Sequence, residues 1–242
     1  MILELIKLAV ITVALSLFAL VFVFYILIPI INRFIKDESR KLPKENMNAR
    51  QKKTLELVNY FAAKYNVAER PYIFDLGVEN ILSKNMKLWY DTKNTPDNVD
   101  FHKSQDSIKV LSGKSNITTS FEVFEHLLNP FTVLRAIRSE YLVCTVPLKV
   151  WFSPAYWHKT DVRDRHFHEF EERQFLWLLE ETGWGVLEKG KWKIQHNIGI
   201  RPFLRLFWPS YLWVIAKRNE TQFKYIENGA DFVYSPSIKK QE

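Results

Sequence analysis

The first apolar run of the chain is also its longest: Leu8 to Ile31, "LAVITVALSLFALVFVFYILIPII", 24 residues without a charge. At about 1.5 Å per residue it reaches roughly 36 Å, enough to cross the hydrocarbon core of a bilayer. The pattern predicts one transmembrane helix over 8–31, after a short tail, 1–7. A cleaved leader would carry a shorter apolar core and a small-residue cleavage site, which "YILIPIINRF" does not offer. Pro29 falls near the end of the span, where a missing backbone N–H matters least.

After a polar stretch, 32–49, that includes Pro43, the hydrophobic period changes. In "ARQKKTLELVNYFAAKYN" the residues Leu55, Val58, Phe61, Ala62 and Tyr65 recur three and four apart, the spacing of one helix face. "PYIFDLG" is short, apolar and rich in β-formers, which predicts a strand, and "KLWYDTKNT", "NITTSFEVF" and "EYLVCTVP" read the same way. "PFTVLRAIRS" predicts a helix. So does "EFEERQFLWLLEETGW", with Phe170, Phe175, Leu176, Leu178 and Leu179 apolar and Gly183 as its stop. Two strand-like runs, "WGVLEKGKWKI" and "SYLWVIAKR", have no full helix between them, and a polar tail, 220–242, follows. Strands alternating with helices predict one α/β sandwich over 50–219. Its sheet should be mostly parallel, with one of the last two strands antiparallel at or near the edge.

Charge orients the chain. Between Asn32 and Lys53 stand eight basic residues and three acids, a net +5 of the formal total of +7, whereas Lys7 is the one basic residue before the apolar run. Basic residues concentrate on the cytoplasmic side of a span, so a single-pass membrane protein with its carboxy-terminal domain in the cytoplasm is expected. Basicity held beside the bilayer fits anionic lipid and argues against a nucleic-acid partner. The single cysteine, Cys144, excludes an internal disulfide, and no Cys/His pairs stand at metal-finger spacing.

In open α/β sheets, ligands bind beyond the carboxyl ends of the strands, and the first strand-to-helix turn is the usual cofactor site. "YIFDLG" fits that place: Asp75 can bond polar ligand groups, and Gly77, with no Cβ, lets the chain turn close to a ligand. An ordinary turn glycine explains the same residues, so the pattern alone is unspecific.

Further on, "TTSFEVFEHLLNPFTVLRAI", then "YLVCTVP", then "RHFHEFEERQFLWLLEETGW" resembles the second half of the class I S-adenosylmethionine-dependent methyltransferases, in particular their small-molecule, coenzyme-Q-biosynthesis-like branch. The resemblance covers about 49–218 and is most specific in "FEVFEHLLNP". It implies a Rossmann-like methyltransferase sandwich, S-adenosylmethionine as cofactor, and a small-molecule acceptor. Position by position, it places Asp75 and Gly77 at the cofactor turn and Phe121, Glu122 and Glu125 on the segment facing the cofactor, with His126 completing the Glu-His pair. For the acid that holds the ribose hydroxyls, Asp91 and Asp97 are the candidates, and Asn94 stands nearer the expected separation of about 20 residues.

The turn departs from the family pattern, because Glu79 and Ile81 replace the second and third glycines of Gly-x-Gly-x-Gly. Glu79 would meet the methionine end of the cofactor, repelling its carboxylate or accepting from its ammonium. A non-catalytic binding domain at the membrane is therefore the alternative to a methyltransferase.

Methyl transfer needs an aligned acceptor and, for some acceptors, a base. The histidine candidates are His126 and those of "WHKTDVRDRHFHEFE", with His126 and His166 expected to face the acceptor. His166 and His168, two apart, would share one side of an extended segment, where Asp161 or Glu169 would complete a metal set. Such residues before a helix more often cap or hydrogen-bond, and no metal is expected. In "RPFLRLFWPSYLWV", Arg201, Phe203, Arg205, Phe207, Trp208 and Trp213 would rest at a membrane interface or pack under the sheet edge. The composite expectation is a membrane-anchored methyltransferase acting on a small-molecule, lipid-linked or cell-envelope acceptor.

Overall fold

The computed structural model describes residues 11–13, 15–16, 22–23, 47–67, 70–95, 115–194, 204–205 and 207–219. Among the described residues no helix is long and apolar enough to cross a membrane. Of the span expected over 8–31 only seven residues are described, and the rest of it lies outside them, as do most of the linker and the tail from 220.

The domain is built on β1 (Tyr72–Asp75), β2 (Asp91–Asn94), β3 (Ile117–Phe121), β4 (Tyr141–Pro147), β5 (Trp184–Trp192) and β6 (Tyr211–Arg218), in the sheet order β2-β1-β3-β4-β6-β5. The first four run parallel, and β6 runs antiparallel to both β4 and β5. The reversed strand therefore stands one position in from the edge. The apolar runs without alternation reflect burial on both faces. Ile73, Val143 and Ile215 point to one face, while Phe74, Leu142, Cys144 and Val214 point to the other.

Each face is covered by helices. α1 (Ala49–Tyr65) and α2 (Ile81–Met86) bring Leu57, Val58, Phe61, Leu82 and Met86 onto the first. On the second, a 3-10 turn (Phe124–His126), α3 (Pro130–Ala136) and α4 (Glu172–Glu181) bring Phe124, Leu134, Phe175 and Leu179. The buried stripe of α1 is Thr54, Leu57, Val58 and Phe61, rotated slightly from the expected one so that Leu55 and Ala62 fall at its margin.

One expectation shifts and one element is added. The stretch Lys87–Tyr90, read as part of a strand, continues the turns after α2 and leaves Leu88 and Trp89 exposed, so β2 begins only at Asp91. α2 is too short for a periodic signal; it forms because the Asn80 side chain accepts from the backbone N–H groups of Leu82 and Ser83. Gly183 ends α4 as expected, with φ 85°. Beside it the buried Trp184 ring lies under the Arg218 guanidinium, 3.8 Å away, and Arg218 donates to the carbonyl oxygens of Thr182 and Ile137.

Candidate functional site

The carboxyl ends of β1, β2 and β3 form the first of two adjoining centres. Asp75 ends β1, is buried, and accepts from Thr119 Oγ1 at 2.7 Å and Asn94 Nδ2 at 2.9 Å. Burial pushes its carboxyl up to about 7, against the pull of those two bonds. Gly77 follows at φ 133°, a conformation only glycine adopts without strain, and its N–H donates to Thr95 Oγ1. Thr95 in turn donates to the Asp75 and Gly77 carbonyls, so the end of β2 clamps the turn after β1.

The residues where the family pattern has glycines take other work. Glu79 is solvent-exposed and its carboxylate accepts from Lys87 Nζ at 2.7 Å, beyond the end of α2. The Lys87 ammonium holds the Glu79 carboxyl below its ordinary range. Asn80 caps α2.

Of the acids proposed for the ribose, Asp97 lies outside the described residues. Asp91 is corrected by the register: it pairs with Tyr72 at the amino end of β2 and is exposed. Three residues of strand, about 10 Å, separate it from the carboxyl edge where ligands sit. Asn94 occupies that edge. Its Oδ1 is buried without a hydrogen-bond partner, an unused acceptor at the end of β2.

The second centre is a cleft of about 750 Å³ beyond β3, β4 and β6, within the range of small-molecule sites. Phe121 and Glu122 reach it from the end of β3, Glu125 and His126 from the 3-10 turn, and His166 and Glu169 from the segment before α4. Glu122 sits at φ 58°, a strained conformation for a non-glycine residue. Its two oxygens accept from Thr145 Oγ1 at 3.0 Å and from Arg50 Nη1 at 3.1 Å. Burial raises its carboxyl, and Arg50 opposes that rise. Glu125 is fully buried, and neither of its carboxyl oxygens has a hydrogen-bond partner. Burial first, and then the Glu122 charge, lift its carboxyl well above the usual range.

The rings of His126 and His166 stand with centroids 4.8 Å apart and planes crossing at 80°. His126 Nδ1 faces the Arg165 carbonyl oxygen at 3.1 Å, and His166 Nδ1 faces Glu169 Oε1 at 2.8 Å. Both partners are acceptors, which assigns the proton to Nδ1 and leaves Nε2 as the acceptor nitrogen of each neutral ring. His126 Nε2 stands 3.7 Å from Glu125 Oε1. The pairing of His166 with His168 does not form. The His168 ring stacks on Phe170, centroid to centroid 5.5 Å, away from the cleft, while Asp161 accepts from the Arg163 N–H. The segment is not a regular strand, so a two-residue spacing does not align the rings. The set whose donor atoms converge is Glu125, His126 and His166, within 4.8 Å of one another.

Sequence reasoning missed Arg50, Tyr156, Arg205 and Tyr211, all of which line the cleft. Arg50 was counted with the linker's charges, although it opens α1. Tyr211 was read only as the start of a strand. Of the aromatic run, Phe207 and Trp208 are exposed, Trp213 packs against the sheet face, and Arg201 and Phe203 lie outside the described residues.

Residues 45–189 match the family of the methyltransferase domain. No curated protein matches the chain. Among solved structures, an S-adenosylmethionine-dependent methyltransferase of Clostridium acetobutylicum is similar at 10% identity and TM-score 0.47, covering 77% of this chain and 98% of that one. Magnesium protoporphyrin IX methyltransferase of Synechocystis, solved with bound S-adenosylmethionine, is similar at 12% identity and TM-score 0.43, covering 70% and 79%. A methyltransferase of Archaeoglobus fulgidus is similar at 15% identity and TM-score 0.42, covering 68% and 94%.

Proposed function

We propose, from the premise that this chain belongs to the methyltransferase domain family, that it is a membrane-tethered methyltransferase whose acceptor is a small molecule carried in or delivered from the bilayer. S-adenosylmethionine is the cofactor, and it supplies a methyl group already activated on a sulfonium. The chain's own residues fit it at the first centre. Gly77 admits a close backbone approach, and the orphaned Asn94 Oδ1 offers an acceptor where ribose hydroxyls belong. Asp75, held by Thr119 and Asn94, keeps that corner rigid.

The observation that carries the reading is the second centre, which adjoins the first through β3. Phe121 and Glu122 stand between the two. Alignment of an acceptor is most of what methyl transfer asks of a protein. The cleft provides it with two pairs, Arg50 beside Tyr211 and His126 beside His166. Both imidazoles line the cleft, and with Nδ1 donating to Arg165 and Glu169 the acceptor nitrogen of each neutral ring is Nε2, the atom type that receives a proton or holds a polar group of an acceptor.

The membrane part rests on the uncharged 24-residue run and the basic stretch behind it. Two placements support it. Arg50, in the first turn of α1, lines the cleft, so the part of the domain next in sequence to the basic stretch contributes to the site. Trp151, Phe207 and Trp208 are exposed, with the Trp151 and Trp208 rings 6.0 Å apart, as aromatics at a membrane interface are. A quinone-like or other lipid-linked acceptor suits this arrangement, because a tether raises the local concentration of membrane-bound substrate.

The test is twofold. Calorimetric titration of the full chain in detergent with S-adenosylmethionine should give saturable one-site binding; none at ~1 mM would sink the enzyme reading. Radiolabelled methyl donor incubated with membranes should then label material that partitions into organic solvent, and label confined to the aqueous phase would remove the lipid-linked acceptor.

A further inference from the structure

We propose that Glu125, His126 and His166 bind one divalent transition-metal cation in the wall of the cleft. Their ligand atoms all lie within 4.8 Å of one another, and the His126 Nε2 to Glu125 Oε1 separation is 3.7 Å. Donors bonded to a cation at about 2.0–2.2 Å stand roughly 3 to 3.5 Å apart, so side-chain movements of about an ångström close the set.

Three independent features point the same way. Glu125 is fully buried with both carboxyl oxygens unpartnered. A carboxylate taken out of water without a donor or counter-charge is strongly disfavoured, and a bound cation is one of the few things that satisfies it. The Arg50 guanidinium, whose charge reaches Glu125, is engaged by Glu122 at 3.1 Å.

Both imidazoles are also oriented from behind. His126 Nδ1 donates to the Arg165 carbonyl and His166 Nδ1 donates to Glu169. A carbonyl or carboxylate on the far nitrogen is what holds metal-binding histidines in the tautomer and direction that coordination needs.

Finally, the backbone fixes the set. The Glu125 carbonyl accepts from the N–H groups of Phe167 and His168 at 2.8 and 3.2 Å. The segment bearing His166 is thereby pinned to the turn that bears the other two ligands, 40 residues earlier in the chain. The convergence does not depend on long side chains reaching across solvent.

Two imidazoles and one carboxylate suit first-row divalent ions, from Mn²⁺ to Zn²⁺, better than Ca²⁺, which takes oxygen donors. Three protein ligands leave coordination positions open towards the cleft, where a hydroxyl or amine of the acceptor would bind. Cation binding does not require the methyl donor, so this proposal and the methyltransferase reading can fail separately.

The experiment uses the full chain in detergent, free of any histidine tag and stripped with chelator, titrated with Co²⁺ and followed by visible absorbance, with Zn²⁺ and Mn²⁺ as competitors. A single equivalent should bind with a dissociation constant of about 10 µM or tighter. Glu125→Gln and His166→Ala should each weaken binding at least ~100-fold, and Glu169→Gln by about 10- to 100-fold. His158→Ala, on a half-buried histidine outside the set, should leave it unchanged. Circular dichroism checks each fold, and if Glu125→Gln does not fold, His166→Ala decides. Absence of saturable binding at ~1 mM for all three ions would overturn the proposal, as would parental affinity in His166→Ala.

Discussion

Asp75→Asn offers the most direct test of how the first centre is built. In the folded chain burial raises the Asp75 carboxyl from 3.8 to about 7. The folded state therefore binds a proton that the unfolded state has released over that interval, and stability falls as pH rises through it. Below about pH 4 both states are protonated and nothing is lost; above about pH 7 the loss is complete. The shift is about 3 pH units at 1.36 kcal/mol each, or about 4 kcal/mol in all, of which about 2.5 kcal/mol falls between pH 5 and pH 8. An asparagine at this position carries no charge to desolvate. It keeps both hydrogen bonds: the new amide oxygen accepts from the Thr119 hydroxyl as the carboxylate does, and the new amide nitrogen donates to Asn94 once that side chain, whose Oδ1 lacks a partner, turns over to accept. Urea unfolding of the full chain in detergent, followed by fluorescence of the buried Trp184, reads both proteins at both pH values. The variant should gain about 2 to 3 kcal/mol relative to the parent on going from pH 5 to pH 8. Parallel pH profiles for the two proteins, within about 0.5 kcal/mol, would refute the buried, desolvated carboxylate.

Three further outcomes follow from the structure. Glu79→Ala should leave both stability and S-adenosylmethionine affinity unchanged within error, because the Glu79 carboxylate engages Lys87 in solvent; a tenfold or greater change in the dissociation constant would show that it reaches the cofactor. Asn80→Ala should cost about 1 kcal/mol in urea unfolding through loss of the α2 cap, whereas Asn80→Ser should retain most of the parent's stability. Gly190→Ala would place a Cβ 2.5 Å from the Trp213 ring across the β5–β6 pair. It should cost about 1 to 3 kcal/mol, and Trp213→Leu in the same chain should recover part of the loss; equal melting temperatures for parent and Gly190→Ala would count against the packing described.

Much of the architecture was legible because it is periodic. The largely apolar, non-alternating runs at Tyr141–Val146 and Tyr211–Ala216 suit strands covered on both faces, and the missing helix between the last two strands announced the reversal that β6 makes. Gly183 and Pro147 marked their element ends through backbone constraints that act locally. His126 and His166 were singled out by residue type and, for His126, by the family resemblance; the fold brings their rings to 4.8 Å.

What composition and spacing could not carry is direction and partnership. Asp91 was a plausible ribose acid until the register put it at the amino end of β2 and put Asn94 at the other. His168 stands two residues from His166, yet packing turns it onto Phe170 while Glu169 holds its neighbour in the cleft. Arg50 and Tyr211 join the site from opposite ends of the domain's sequence. The sequence by itself determined the elements, their order and the kind of chemistry, because hydrophobic period, caps and breakers act over a few residues. Only the tertiary structure decided which carboxylate is buried, which imidazole nitrogen is presented, and which side chains share a cleft. Those depend on strand register and on contacts between residues far apart in the chain, and no local pattern encodes them.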